Sequence, residues 1–369
     1  MIIGVPKEQQ VGEHRVGLSP VGVTELVKQG VTIFVQHGAG AGAHFSDSDY
    51  ERAGARIALS RDEAFQRADI ICKVGLLTAE ESLLLREKQV LTGFLHLITA
   101  PKNLLRTLLE REVTAISYEL IEEPDGHHPV LSPTSKIAGK MTPQIAGRWL
   151  QRGCGKLLGG IPGIPPSDVV ILGGGTLGYH AARALRGVGA MVYILEKCPR
   201  RLEELDRCFE GSVVTALATR ANLEKFVRFA DVLVGAVFAP GTRAPLLVTR
   251  KMVSTMKSGS VIIDFSIDNG GCVETSRPTP SEDFVYQEEG AYHFCMPNVS
   301  SLVARTATHA LTHAALPYLQ SLVEHGVAES LQALPDLARG VSTHAGVIVQ
   351  EHLAREHEFK FQKLEKTLS

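Results

Sequence analysis

A chain of 369 residues exceeds the roughly 250 to 300 at which a single hydrophobic core stops growing, so it predicts two domains. With 44% apolar residues, 21% charged residues and a formal net charge of −2, it is neither disordered nor a polycation. The densest cationic stretch, Lys197-Cys-Pro-Arg-Arg201, gives way to Glu203, Glu204 and Asp206, which excludes a nucleic-acid partner.

The start, Met1-Ile-Ile-Gly-Val-Pro-Lys-Glu8, has no secretory-leader pattern, and no run of about 18 apolar residues follows. Six cysteines without a Cys-x-x-Cys spacing point to reduced thiols, with no disulfide and no metal. A cytoplasmic protein is expected. His309 and His313 have an i, i+4 spacing but no third ligand nearby, and His127 and His128 lie in a turn, so none of them receives a role.

Residues 2–5, 32–35, 70–73, 90–95 and 114–118 are apolar or β-branched runs that predict strands, with amphipathic helices at 20–28 and 60–67 between them. That alternation implies parallel βα units and a buried sheet. Glu122-Glu-Pro-Asp-Gly-His-His-Pro129 punctuates the chain and sets the first boundary. Residues 135–151 then predict a helix crossing into another domain, and residues 153–166, rich in Gly and Pro, a loop.

A second alternating series starts at Asp168, with strands at 169–172, 191–195, 230–237 and 261–265 and a helix at 177–188. Residues 303–325 predict a second crossing helix whose continuation packs back on the first domain. The expected fold is α/β, with two Rossmann-like domains built on parallel sheets and linked by two long crossing helices. A discontinuous substrate domain (1–128 and 306–369) brackets a dinucleotide-binding domain (129–305).

The second series carries the clearest motif. The strand 169–172 runs directly into Gly173-Gly-Gly175-Thr176-Leu177-Gly178 and a helix. Gly173 permits the tight turn, Gly175 lets the backbone approach a pyrophosphate, Gly178 permits close helix-to-strand packing, and the helix N-terminus faces the anion. Glu196 ends the next strand about 20 residues on, where a carboxylate accepts ribose hydroxyls and repels a 2′-phosphate. NAD is therefore expected over NADP, although Lys197, Arg200 and Arg201 follow closely.

Ile3-Gly-Val-Pro-Lys-Glu8, Glu13-His-Arg-Val-Gly-Leu-Ser-Pro20, Phe94-Leu-His-Leu97, Leu158-Gly-Gly-Ile-Pro-Gly163, Val234-Gly-Ala-Val237 and Ile267-Asp-Asn-Gly-Gly-Cys272 occur in that order. Together they resemble the NAD-dependent alanine dehydrogenase family, related to the soluble part of nicotinamide nucleotide transhydrogenase, over nearly the whole chain. The resemblance implies reversible oxidative deamination of a small L-amino acid, L-alanine to pyruvate and ammonium, by a hexamer. It implies that Arg15 and Lys73 bind substrate carboxylate and carbonyl oxygens, that His96 is the general acid and base, and that Asp268 orders the reacting water or ammonia. It also implies dinucleotide contacts at Ser135, Arg201, Thr219, Val237 and Asn298. These types suit the chemistry, since a cation pair fixes a carboxylate and imidazole changes protonation near neutral pH.

Each residue also has a plainer reading. Arg15 would be a surface cation, His96 a core histidine and Asp268 a turn cap before Asn269-Gly-Gly. Lys73 is harder to explain away, because a lysine closing an apolar run is costly to bury without a partner. Departures from the family pattern mark a divergent member. Gly75-Leu-Leu77 stands for Lys-Glu-Pro, Val299-Ser-Ser-Leu302 for Met-Pro-Gly-Ala, Phe94 for Tyr and His313 for Asn. Two alternatives therefore remain at this point: a related dehydrogenase for another amino acid, oxo acid or imine, and a non-catalytic NAD(H)-binding module.

Overall fold

Branched Ile, Val and Thr side chains fit the pleated surface, and short runs of them become the strands. The computed structural model describes residues 1–368. In it β1 (Ile2–Val5), β2 (Thr32–Gln36), β3 (Arg56–Ala58), β4 (Ile70–Cys72), β5 (Val90–Gly93) and β6 (Thr114–Ser117) pair in parallel in the order β3-β2-β1-β4-β5-β6. An antiparallel hairpin, Val341–His344 and Val347–Ile348, extends the sheet beyond β6. These strands belong to a unit formed by residues 1–134, 240–242 and 300–369.

The helices of this unit begin where the sequence supplies caps. Ser19 accepts from the Gly22 N–H ahead of Pro20–Lys28, and Ser60 from the Glu63 N–H ahead of Arg61–Arg67. Ala304–Ala333 sends Leu311, Ala315, Leu319 and Leu322 into the core that holds Ile3, Ile33 and Ile70. Gly326 (φ 79°, ψ 175°) breaks that helix just past the expected end at His325.

The second unit comprises residues 135–239 and 243–299. Its strands are β7 (Asp168–Leu172), β8 (Met191–Glu196), β9 (Val214–Leu217), β10 (Val232–Gly235), β11 (Val261–Asp264), β12 (Tyr286–Glu288) and β13 (Ala291–Phe294). Their order is β12-β13-β11-β10-β7-β8-β9, with only β12 antiparallel. Leaving aside the antiparallel edges, both units share the doubly wound order 3-2-1-4-5-6 of a Rossmann sheet.

Two details differ from the sequence reading. Neither sheet is purely parallel, because the two-residue turns Glu289-Gly290 and Ala345-Gly346, with φ positive throughout, fold an edge hairpin onto each. The division between units falls inside the helix Leu131–Gly153 and again before Ser300, not at 128/129 and 305/306. Val130 and Leu131 pack into the first core, so that helix starts there, and Ala304 and Ala307 are buried in the first unit at the other end. Among the described residues no helix is long and apolar enough to cross a membrane.

His293, on β13, is fully buried, stacked on Tyr286 at 4.8 Å between ring centroids, and bonded to the Thr275 hydroxyl and the Ala291 carbonyl. Burial pushes its pKa down to about 4. Between pH 6.5 and about 4 the unfolded chain binds a proton here that the folded one does not. Stability from this residue is complete above pH 6.5 and falls by about 3 kcal/mol as pH drops to 4. Chemical denaturation at pH 7 and pH 4.5 should show a smaller acid loss for His293→Gln than for the native chain.

Candidate active site

In a doubly wound sheet the chain leaves the first strand to one side and later returns to the other, and the crevice lies past the carboxyl ends of the two strands flanking that switch. In the first unit these are β1 and β4. Glu8 follows the end of β1, Lys73 is the first residue after β4, and Phe94 to His96 follow β5 beside it. The strand ends are locked together, with the Lys73 N–H donating to Thr92 O at 3.0 Å and the Phe94 N–H to Val74 O at 2.8 Å.

Lys73 is completely buried. Its Nζ donates to Glu81 Oε1 at 2.7 Å and stands 3.2 Å from Glu8 Oε2. Burial alone would favour the neutral amine, but Glu8 and Glu81 outweigh it and hold the Lys73 pKa above its ordinary value. Glu81 has a second duty, because its other oxygen accepts the Thr78 N–H at 2.8 Å while Thr78 Oγ1 accepts the Glu81 N–H. This capping box starts the helix Ala79–Leu83, so a helix terminus aims the carboxylate at the lysine.

Arg15 is 2% exposed and not the surface cation of the plainer reading. Nε and Nη2 grip Glu13 at 2.8 and 2.6 Å, and Nη1 donates to Ser300 Oγ at 2.9 Å. Burial opposes the Glu13 charge, yet Arg15 overrides it and holds that carboxyl below the usual range. Ser301 secures the same segment, donating to Gly12 O and accepting the His14 N–H, both at 2.7 Å. A Cβ on Gly17 would lie 2.2 Å from Cys72 O, so the Arg15 segment sits directly against the end of β4.

His96 is half-buried with left-handed backbone (φ 41°, ψ 43°), a conformation costing about 1–2 kcal/mol in a residue with a Cβ. Glu119, 4% exposed, holds the turn, taking the Leu95 N–H on one oxygen at 3.2 Å and the His96 N–H on the other at 2.7 Å. The imidazole lies over Phe94. The first unit thus places Lys73 and His96 just past the neighbouring strands β4 and β5 and the Arg15 segment against the end of β4, and pairs them with Glu8, Glu13, Glu81 and Glu119, none of which was singled out from sequence. A readable signal existed only for Glu81, in Thr78-x-x-Glu81.

In the second unit β7 and β10 flank the switch. Gly173 has φ 98°, which favours glycine, and a Cβ on Gly178 would stand 1.9 Å from Gly173 O. A Cβ on Gly175 would meet nothing within 4 Å, so packing leaves space there for a ligand, and the residues fit a dinucleotide pyrophosphate. Gly175 caps and Thr176 and Leu177 begin the helix Thr176–Gly187.

Glu196 is fixed by three backbone N–H groups, from Gly174 to one oxygen and from Lys197 and Cys198 to the other. A carboxylate has about four acceptor sites, so three donors leave capacity for a ribose hydroxyl. Arg201 donates from Nε to Gly174 O at 2.8 Å and pairs with Glu204 at 2.9 Å, and Arg200 shares Glu204 at 3.5 Å. Thr219 caps the helix Arg220–Phe229, Ser135 lies in Leu131–Gly153, and the Val237 N–H donates to Ser266 Oγ.

Asp268 lies in the turn Phe265–Asn269, and its Oδ1 accepts the Asn298 N–H at 3.3 Å. Asp264, 1% exposed, caps the start of this turn and accepts from the Ser266, Cys272 and Val273 N–H groups.

The chain matches a family profile described as the alanine dehydrogenase/PNT N-terminal domain over residues 4–138, and one described as the C-terminal domain over residues 144–351. It is 42% identical over 357 residues to the alanine dehydrogenase of Halomonas elongata, covering 96% of each chain. Against the alanine dehydrogenase of Staphylococcus epidermidis the identity is 40% over 372 residues, covering 100% of both. A solved L-alanine dehydrogenase structure superposes with a TM-score of 0.88 at 41% identity, covering 97% of this chain and 99% of that one.

Proposed function

Since the chain belongs to the alanine dehydrogenase/PNT family, we propose that it is an NAD-dependent alanine dehydrogenase. L-alanine, water and NAD⁺ become pyruvate, ammonium, NADH and a proton, reversibly. The observation that carries this reading beyond family membership is Lys73, an ammonium fully buried at the sheet's switch point, in a unit that also buries the Arg15 guanidinium on the segment packed against the end of β4. Two desolvated cations there suit a carboxylate and its neighbouring oxygen.

Gly173 to Gly178 would hold the pyrophosphate, Glu196 the adenosine ribose, and Ser135, Arg201, Thr219, Val237 and Asn298 the rest of the dinucleotide. Bound there, NAD supplies the acceptor for the hydride leaving the substrate Cα. Arg15 binds the substrate carboxylate. Lys73 binds the carboxylate and the carbonyl oxygen, stabilising charge on that oxygen. His96 takes a proton on its imidazole when water adds and returns it in the reverse direction. Asp268, oriented by the Asn298 N–H, orders the water or ammonia.

NAD is favoured over NADP because Glu196 is an anion held in place, and Arg200 and Arg201 already share Glu204. A 2′-phosphate beside a fixed carboxylate costs several kcal/mol, so kcat/KM with NADP should be lower by about a hundredfold or more. The assay is NADH formation from L-alanine at alkaline pH. Protein that binds NAD yet oxidises no L-amino acid overturns the reading in favour of a binding module.

One observation favours a second substrate: Ser300, a departure from the family pattern, takes an Arg15 N–H at 2.9 Å. A panel of amino and oxo acids in which alanine leads by a wide margin dismisses it. The working form is a cytoplasmic hexamer, checked by sedimentation and cell fractionation.

A further inference from the structure

Glu8, Glu13, Arg15, Lys73 and Glu81 are each at most 8% exposed, and with every group ionised they would carry three negative and two positive charges. A carboxylate substrate held by Arg15 and Lys73 would add a fourth negative charge away from water, where an uncompensated ion is costly and like charges raise one another's affinity for protons. Neutralising one of the three carboxylates relieves that cost. The geometry selects which.

Glu13 is anchored as an anion by three Arg15 N–H groups, one of them from the backbone. Glu81 receives the Thr78 N–H and the Lys73 ammonium. Glu8 receives one backbone N–H, from Val74 to Oε1 at 2.7 Å. Its Oε2, also buried, accepts no hydrogen bond among the described residues and only stands 3.2 Å from Lys73 Nζ. Besides Lys73, the titratable groups around it are Glu13, Glu81 and the Cys72 thiol, the last made neutral by burial. Burial, with Glu13 and Glu81, pushes the Glu8 carboxyl above its ordinary range against the pull of Lys73.

We propose that Glu8 takes up one proton from solvent when a carboxylate substrate binds at Arg15 and Lys73, so that the Lys73 ammonium exchanges an ion pair with Glu8 for one with the substrate. Glu8 is a positioning residue in this scheme, acting through Lys73. The proposal rests on the carboxylate site assigned to Arg15 and Lys73 above.

The test is titration calorimetry of pyruvate into the full-length protein with NADH bound and ammonium absent, so that nothing turns over. Repeating it at each pH from about 6 to 9, in buffers of different ionisation enthalpy, gives the number of protons taken up. The native protein should take up close to one proton more than Glu8→Gln in part of that range. Glu8→Gln, which mimics the protonated acid, should bind pyruvate about tenfold more tightly at the alkaline end, where the native protein must still capture the proton. Any uptake by His96 is common to both proteins and cancels in the difference.

Equal uptake with pyruvate bound to both overturns the proposal and leaves the substrate reading standing. Failure of pyruvate to bind native protein that holds NADH removes the carboxylate site, and the proposal with it. Should Glu8→Gln not fold, infrared difference spectra of the native protein decide. Pyruvate binding must raise a protonated-carboxyl band that shifts in D₂O, and its absence overturns the proposal.

Discussion

Lys73→Met is expected to lose about a thousandfold or more in kcat/KM and to cost the fold about 3–5 kcal/mol. The activity loss follows from removing the desolvated cation to which the proposed function assigns the substrate carboxylate. The stability loss has a separate origin. Glu8 and Glu81 would remain buried around an apolar side chain, and orphaning a buried charge costs more than its pairing contributed.

Adding Glu81→Gln to Lys73→Met should restore part of the stability and none of the turnover, which separates the two effects. The deficit should also depend on pH. With Lys73 gone, the larger of the two pulls lowering the Glu8 pKa disappears and only the Val74 N–H remains, so that group sits still further above its unfolded value. Its folded form binds the proton more tightly, and the stability deficit shrinks as pH falls and grows as pH rises. Denaturant melts of the three proteins at pH 5 and pH 8 check the sign. A Lys73→Met protein with full activity would sink both the substrate reading and the account of the buried network.

His96→Ala should lower kcat by about 10² to 10⁴ while NAD affinity stays unchanged, since imidazole is assigned to proton transfer and not to the cofactor. Stability should change little, because alanine keeps a Cβ and so carries the same left-handed backbone cost, and the Glu119 carboxylate grips backbone N–H groups that the substitution leaves in place. Glu119→Ala offers the contrast. It leaves the imidazole in place but deprives two backbone N–H groups of their acceptor, at about 1–3 kcal/mol each. That variant should lose both stability and kcat, whereas His96→Ala loses kcat alone. Steady-state kinetics with urea melts distinguish them.

The parts of this fold that the sequence makes legible are those governed by local rules. Ile2–Val5 and Pro20–Lys28 can be read to the residue, from a branched apolar run and from a Ser-Pro cap. The strands Arg56–Ala58 and Val214–Leu217 cannot, because each is short, partly exposed and set by the neighbour it pairs with. Glu289-Gly290 and Ala345-Gly346 are turn signals of ordinary strength, and nothing local announces that they close hairpins on a parallel sheet.

At the site, the glycine loop and Glu196 are contiguous with their own strands and so are visible. Lys73 is conspicuous as a charge ending an apolar run. Its partners are hidden for a simple reason: Glu8 bonds the backbone 66 positions away at Val74, and Glu119 supports His96 from 23 positions away. Charge neutralisation in a buried site is a property of the folded neighbourhood, which spacing along the chain does not encode.

The first unit's discontinuity has a consequence for the order in which the protein is made. All six parallel strands of its sheet are complete by Ser117, but the helix Ala304–Ala333 that fills its core and the strand Val341–His344 that pairs with β6 emerge from the ribosome only after residues 135–299. The second unit, continuous apart from three residues, can close first while its neighbour waits with one flank of β6 bare. An open strand edge invites pairing with another nascent chain. Slow synthesis or a stop before residue 300 should therefore favour aggregation of the first unit, and a fragment ending at Thr134 should be insoluble where the full chain is not.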